Sequence, residues 1–122
     1  MDPDDLRAWF ADYLEALNRH DLAAIRAFAA PDVRRAHLPA GSDAWIAELD
    51  ELFHAVPDLQ WKRISLIVED DRIAAHLRAH GTHRPSGRRV NLAEFGMYRV
   101  TGGQIAEYAG TADTAALLAP PA

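Results

Sequence analysis

Three of the chain's six histidines fall in "RIAAHLRAHGTHR", residues 72 to 84. His76 and His80 are four residues apart. On a helix that spacing puts two imidazoles on one face, the HxxxH arrangement of many zinc helices. On a strand, Ala75, Leu77, Ala79 and Gly81 form an apolar side, and His76, Arg78, His80 and Thr82 form a polar one. Over so short a stretch both templates are satisfied, and periodicity does not choose between them. With no cysteine in the chain, disulfides, thiolate nucleophiles and thiolate metal sites are excluded.

The elements around this stretch narrow the choice. Residues 4 to 18 read as a helix, with Leu6, Phe10, Tyr13, Leu14 and Leu17 on one stripe and Asp2 and Pro3 at its start. Asp21 is placed to cap a second helix through Leu22, Ile25 and Phe28, which "APD" ends. "VRRAHLPAGS" is irregular or a short strand. Ser42 or Asp43 then caps a third helix carrying Trp45, Leu49, Leu52, Phe53 and Val56. Beyond "VPDL" the period becomes two. "LQWKRISLIV", "RVNLAEFGMYRV" and "QIAEYAGTAD" read as strands, with turns at "EDDR" and "TGGQ". Asp113 reads as a further helix cap. Helices followed by a run of strands predict an α+β domain. The histidine stretch lies between strands after a tight turn, which favours the strand reading.

Composition bounds the rest. A chain of 122 residues supports one hydrophobic core, and residues 1–122 read as one domain. The net charge is −5 and the basic residues are dispersed, which argues against a nucleic-acid partner. "MDPDDLRAWF" is acidic where a secretory leader is basic, and no apolar run approaches the roughly 18 residues of a membrane span. A cytoplasmic protein with no membrane partner is expected.

In order and spacing, "YLEALNRHDLAAIRAFAAPDV", "VPDL", "GTH", "SGRRV", "YRV" and "GQIAEY" resemble the nuclear transport factor 2-like superfamily, and within it the SnoaL-like polyketide cyclases. The first segment also resembles the ketosteroid isomerases. The similarity covers nearly the whole chain. It implies a curved, mostly antiparallel sheet wrapped against three N-terminal helices, a cone with an apolar interior, and a homodimer through the outer sheet face. It also implies that the histidine stretch is a strand. Four residues along a strand span roughly 13 Å, too far for His76 and His80 to share a metal ion. No metal is expected, and the row His76, Arg78, His80 is expected on the outer face. His83, on the side of Leu77, is expected near the cavity mouth.

The resemblance also assigns residues, and it carries over in part. Tyr13 matches the helix-one tyrosine that donates the oxyanion hydrogen bond in ketosteroid isomerases. His37 falls, within one residue, where those enzymes carry the aspartate general base, and Gly96 where they carry a protonated aspartic acid. SnoaL-type cyclases use an acid after an "E-x-W" motif. Here that motif reads Glu107, Tyr108, Ala109, and the acid position is Gly110. If position 96 faces the cavity, alternation puts Leu92, Glu94 and Tyr98 on the same side. Glu94 would then be a carboxyl group in an apolar interior, usable as an acid or base near neutrality. The alternative is Glu94 turned outward or paired with Arg78 or Arg99.

The expected site is therefore Glu94 and His37 as candidate bases and Tyr13 as oxyanion donor. Trp9, Trp45, Phe53, Leu77, His83, Tyr98 and Tyr108 are expected as pocket wall. The expected function is a cofactor-independent enzyme transferring a proton on a small, apolar, carbonyl-bearing molecule, as a cyclase or isomerase does. The alternative is a binding or accessory protein of the same fold. An acid buried in the cavity favours the enzyme, and a cavity with no titratable group favours the binder.

Overall fold

The computed structural model describes residues 1–111; position 113, expected as a cap, lies outside them. Helix α1 (Pro3–Asn18) begins where Asp2 accepts a hydrogen bond from the Asp5 backbone N–H and Pro3 supplies a pre-set first turn. Helix α2 (Leu22–Ala27) is capped by Asp21 through the Ala24 N–H. It stops one residue before Phe28, and strand β1 (Ala29–Arg35) follows at once, with Pro31 inside it. The proline is tolerated because β1 is an edge strand. Its pairing with the last strand is irregular between Ala29 and Arg34.

Helix α3 (Ser42–Ala55) starts differently from the expectation. Neither Ser42 nor Asp43 caps it: Gly41 is the N-cap, at φ 98°, with no side-chain hydrogen bond. A positive φ suits glycine, and the Gly41 N–H is tied to the Val33 carbonyl. Asp43 instead pairs with Arg26 of α2 at 2.5 Å.

Four strands complete the molecule: β2 (Gln60–Glu69), β3 (Arg72–His83), β4 (Arg88–Thr101) and β5 (Gln104–Gly110). The sheet order is β1-β5-β4-β3-β2, antiparallel except for the parallel pair β1–β5. Gly102 and Gly103, both at positive φ, turn β4 into β5, as a two-residue hairpin loop requires. The helices lie against one sheet face. Along β3, Ile73, Ala75, Leu77, Ala79, Gly81 and His83 are buried while their neighbours are half-buried. The histidine stretch is thus a strand, with His76 opposite Ser65 and Phe95 and His80 opposite Gln60 and Asn91. On the same outer face Ile67, Phe95 and Met97 are exposed, and the His76 ring stacks on Phe95 with centroids 4.3 Å apart.

Candidate active site

A cavity of about 100 Å³ lies between the helices and the inner sheet face. Helix α1 contributes Tyr13 and Leu17. Helix α3 contributes Trp45, Glu48, Leu49 and Leu52. The sheet contributes Arg35, Trp61, Glu94, Tyr98 and Tyr108. All three of the chain's tyrosines line it.

Period-two alternation along β4 puts Glu94, Gly96 and Tyr98 on the inner face, with Glu94 opposite the buried Leu77. The alternative pairings are not formed: Arg99 binds Glu107, and Arg78 binds Asn91. Burial among apolar side chains pushes the Glu94 carboxyl up to about 7, against a smaller opposing effect from a hydrogen bond with the Trp61 side chain. Trp61 is itself fixed. Asn18 accepts from its backbone N–H at 2.7 Å and donates to its carbonyl at 3.0 Å.

The phenols are arranged around this carboxyl. Tyr13 packs against Tyr98, with centroids 6.0 Å apart, and Tyr98 against Tyr108 at 4.9 Å. Burial, and then the negative charge of Glu94 and the neighbouring phenols, holds Tyr13 well above the ordinary tyrosine range. Tyr98 is raised in the same way, chiefly by burial. Tyr108 is raised by burial and by Glu94, while Arg35 acts in the opposite sense. All three are neutral donors at any working pH. Among the described residues none of the three hydroxyls has a protein hydrogen-bond partner. One group that ionises near neutrality and three that do not is an arrangement suited to moving a proton and holding the resulting oxyanion.

Several expected residues lie elsewhere. His37 is exposed in the turn after β1, at φ 62°, and does not line the cavity, although Ala36 and Leu38 on either side do. Trp9 lies behind Tyr13, stacked on it at 5.6 Å, with its indole N–H donating to the Gly103 carbonyl. Phe53 is covered by the His20 ring, stacked at 4.0 Å, and by Trp61. Leu77 is closed into the core beneath Glu94. His83 is buried and shares a hydrogen bond with Ser86 at 2.7 Å, away from the cavity. Apart from His37, each of these is apolar or ring-bearing on an inward face, and inward is not the same as cavity-lining.

One pair was not anticipated. Arg35, with its side chain almost fully buried, binds Glu48 at 2.5 Å and the Pro39 carbonyl at 3.1 Å, and its guanidinium lies over the Trp45 ring. Among the described residues its Nε–H has no hydrogen-bond partner. The signal was present: Arg35 alternates with buried Val33, and Glu48 sits three residues after Trp45 on the same helical stripe.

Helices followed by an open mixed sheet form the nuclear transport factor 2-like fold. The chain belongs to the SnoaL-like polyketide cyclase family, whose model matches residues 9–120. Solved structures similar to it include TsrD from Streptomyces laurentii (TM-score 0.84, 21% identity, 96% of this chain and 94% of that one). Another is a SnoaL-like polyketide cyclase from Agrobacterium tumefaciens (TM-score 0.80, 24% identity, 87% and 89%). A third is IdmH from Streptomyces antibioticus (TM-score 0.77, 26% identity, 93% and 95%). No curated protein matches the chain.

Proposed function

We propose that this protein is a cofactor-independent enzyme that transfers a proton on a small, apolar, carbonyl-bearing molecule, in the manner of a polyketide cyclase or isomerase. The observation that carries it is Glu94: a carboxyl group inside the cavity, ionising at about 7. A binding protein needs no such group, and burying one is unfavourable. That cost weighs against the non-catalytic alternative.

In the proposed step the Glu94 carboxylate removes a proton α to the carbonyl. The C–H electron pair becomes the enolate double bond and the oxygen takes the negative charge, which Tyr13 stabilises by donating a hydrogen bond. In a cyclisation the enolate carbon then attacks a second carbonyl, whose π electrons pass to its oxygen, and that oxygen takes the proton back from Glu94. In an isomerisation Glu94 returns the proton to a different carbon. The apolar wall of Leu17, Leu49 and Leu52 suits a hydrocarbon-rich substrate and keeps the carboxyl dehydrated.

The test is α-proton exchange. Enolisable aromatic ketones are incubated with the protein in deuterated buffer and followed by NMR. The native protein is expected to catalyse exchange with at least one of them, and Glu94→Gln to lower the rate about 10²- to 10⁴-fold with binding little changed. Equal exchange by the two proteins overturns the reading. We further propose that the protein acts as a homodimer through the outer sheet face.

A further inference from the structure

Gly96 and Gly110 stand opposite each other in the β4–β5 ladder, two residues from the facing pair Tyr98 and Tyr108. Neither glycine has a positive φ, so the backbone does not require glycine at either place. Space does. A Cβ on Gly96 would lie 2.8 Å from Cε2 of Tyr108 and 3.3 Å from its hydroxyl. A Cβ on Gly110 would lie 2.6 Å from Cζ of Tyr108 and would overlap the hydroxyl oxygen itself. Carbon atoms do not approach so closely, so a side chain at either position displaces the Tyr108 ring. On its other sides the ring is held by Trp45, stacked at 6.4 Å, and by Tyr98.

We propose that Tyr108 is an oxyanion hydrogen-bond donor of this cavity, and that Gly96 and Gly110 are positioning residues that seat its ring. Tyr108 lines the same cavity as Glu94, and its hydroxyl has no protein partner among the described residues. The hydroxyl is half-buried with its residue and gives its proton to no protein acceptor among them, so it is free to donate, and a developing enolate oxygen supplies the acceptor. The substrate implied is a flat carbonyl compound whose enolate oxygen reaches Tyr108 while its acidic carbon reaches Glu94. The inference rests on the proton-transfer reading and extends it.

The test uses β-naphthol, whose ionised and neutral forms differ in fluorescence, as an oxyanion probe. It is bound to Glu94→Gln protein, so that no carboxylate repels the naphtholate. Bound naphthol is expected to ionise more readily than free naphthol. Tyr108→Phe, which keeps the ring and hence the packing, should weaken that preference about tenfold to a hundredfold, the value of a hydrogen bond to a charge. Binding of the neutral form should be unchanged. Gly96→Ala and Gly110→Ala should act in the same direction and add nothing once Tyr108 is Phe, because they act through its hydroxyl. If the glycine variants do not fold, the Tyr108→Phe comparison decides alone. Loss of the preference in Tyr13→Phe or Tyr98→Phe but not in Tyr108→Phe overturns this inference and leaves the proposed function standing. If no variant prefers or binds the naphtholate, this inference is overturned, and α-proton exchange by the native protein against Glu94→Gln decides the proposed function separately.

Discussion

Ionising Glu94 places a negative charge against leucines and phenols, and that has consequences for both rate and stability. As a base the group works in its ionised form, so kcat/KM is expected to rise with pH and level off above about 7, the value to which burial raises it. A pH–rate profile that is flat from pH 5 to 9 would contradict this role. For stability the sign is the opposite of the usual carboxylate. The folded state holds the proton up to about 7, whereas an unfolded glutamate releases it near 4.5. Stability is therefore lost as pH rises between those values. The interval corresponds to on the order of 3 kcal/mol. Glu94→Gln, which cannot ionise, should be more stable than the native protein at pH 8 and close to it below pH 4.5, as read by urea denaturation. Elsewhere in the cavity wall, Glu48→Gln leaves the buried Arg35 without the counter-charge of its ion pair. It is expected to cost about 2 kcal/mol, less than a fully buried pair because Glu48 is partly exposed.

At the scale of elements, β3 is pinned to the turn between α3 and β2. The Asp58 side chain accepts from the Thr82 N–H at 2.7 Å, and the Arg84 N–H donates to the Ala55 carbonyl at 2.8 Å. Gly81 lies in this contact: a Cβ there would stand 2.6 Å from Val56 Cγ1 and 3.2 Å from the Leu59 Cα. Gly81→Ala is expected to destabilise the fold by about 1–3 kcal/mol, measured by thermal or urea unfolding, whereas Gly87→Ala meets no atom within 4 Å and is limited to its own backbone strain. The same residue shows what periodicity can and cannot say. Gly81 completes the apolar side of an alternating strand, and a glycine is equally what the end of a helix over this stretch would carry. The neighbouring strands on both sides decide between the two, because only a strand gives the backbone of residues 72–83 its partners.

For the whole molecule, the outer sheet face is the surface on which the proposed dimer depends. Ile67, Phe95 and Met97 are each about half exposed or more, next to the row His76, Arg78 and His80. Exposed large apolar side chains grouped on a sheet mark a surface that another protein covers. Phe95→Lys is expected to convert dimer to monomer in light scattering at micromolar concentration, with the α-proton exchange activity retained if each cavity is complete within one chain. A native protein that is monomeric at that concentration would rule the interface out. Among the described residues no helix is long and apolar enough to cross a membrane.

The order of elements and the cap at Asp21 were legible in the sequence, because each depends on neighbours within a few residues and on a fixed period. Alternation joined Glu94 to Gly96 and Tyr98, while the inward direction of that side came from the family resemblance. The outward alternative stayed open until the strand had its neighbours. The start of α3 was not legible, since a glycine at positive φ, tied to a carbonyl eight residues earlier, replaced the side-chain cap. Nor was the division of inward residues into core and cavity. Trp9, Phe53, Leu77 and His83 face inward as Trp45 and Tyr98 do, yet other rings or backbone cover them. The sequence by itself determined which residues share a face once an element's type is given, since the backbone period is local. Only the tertiary structure decided which inward residues meet across open space. That depends on side chains from α1, α3, β1, β2, β4 and β5 arriving at one point, over separations that no local period records. It is also why two glycines, which read as lost acids along the chain, prove in three dimensions to be the seat of Tyr108.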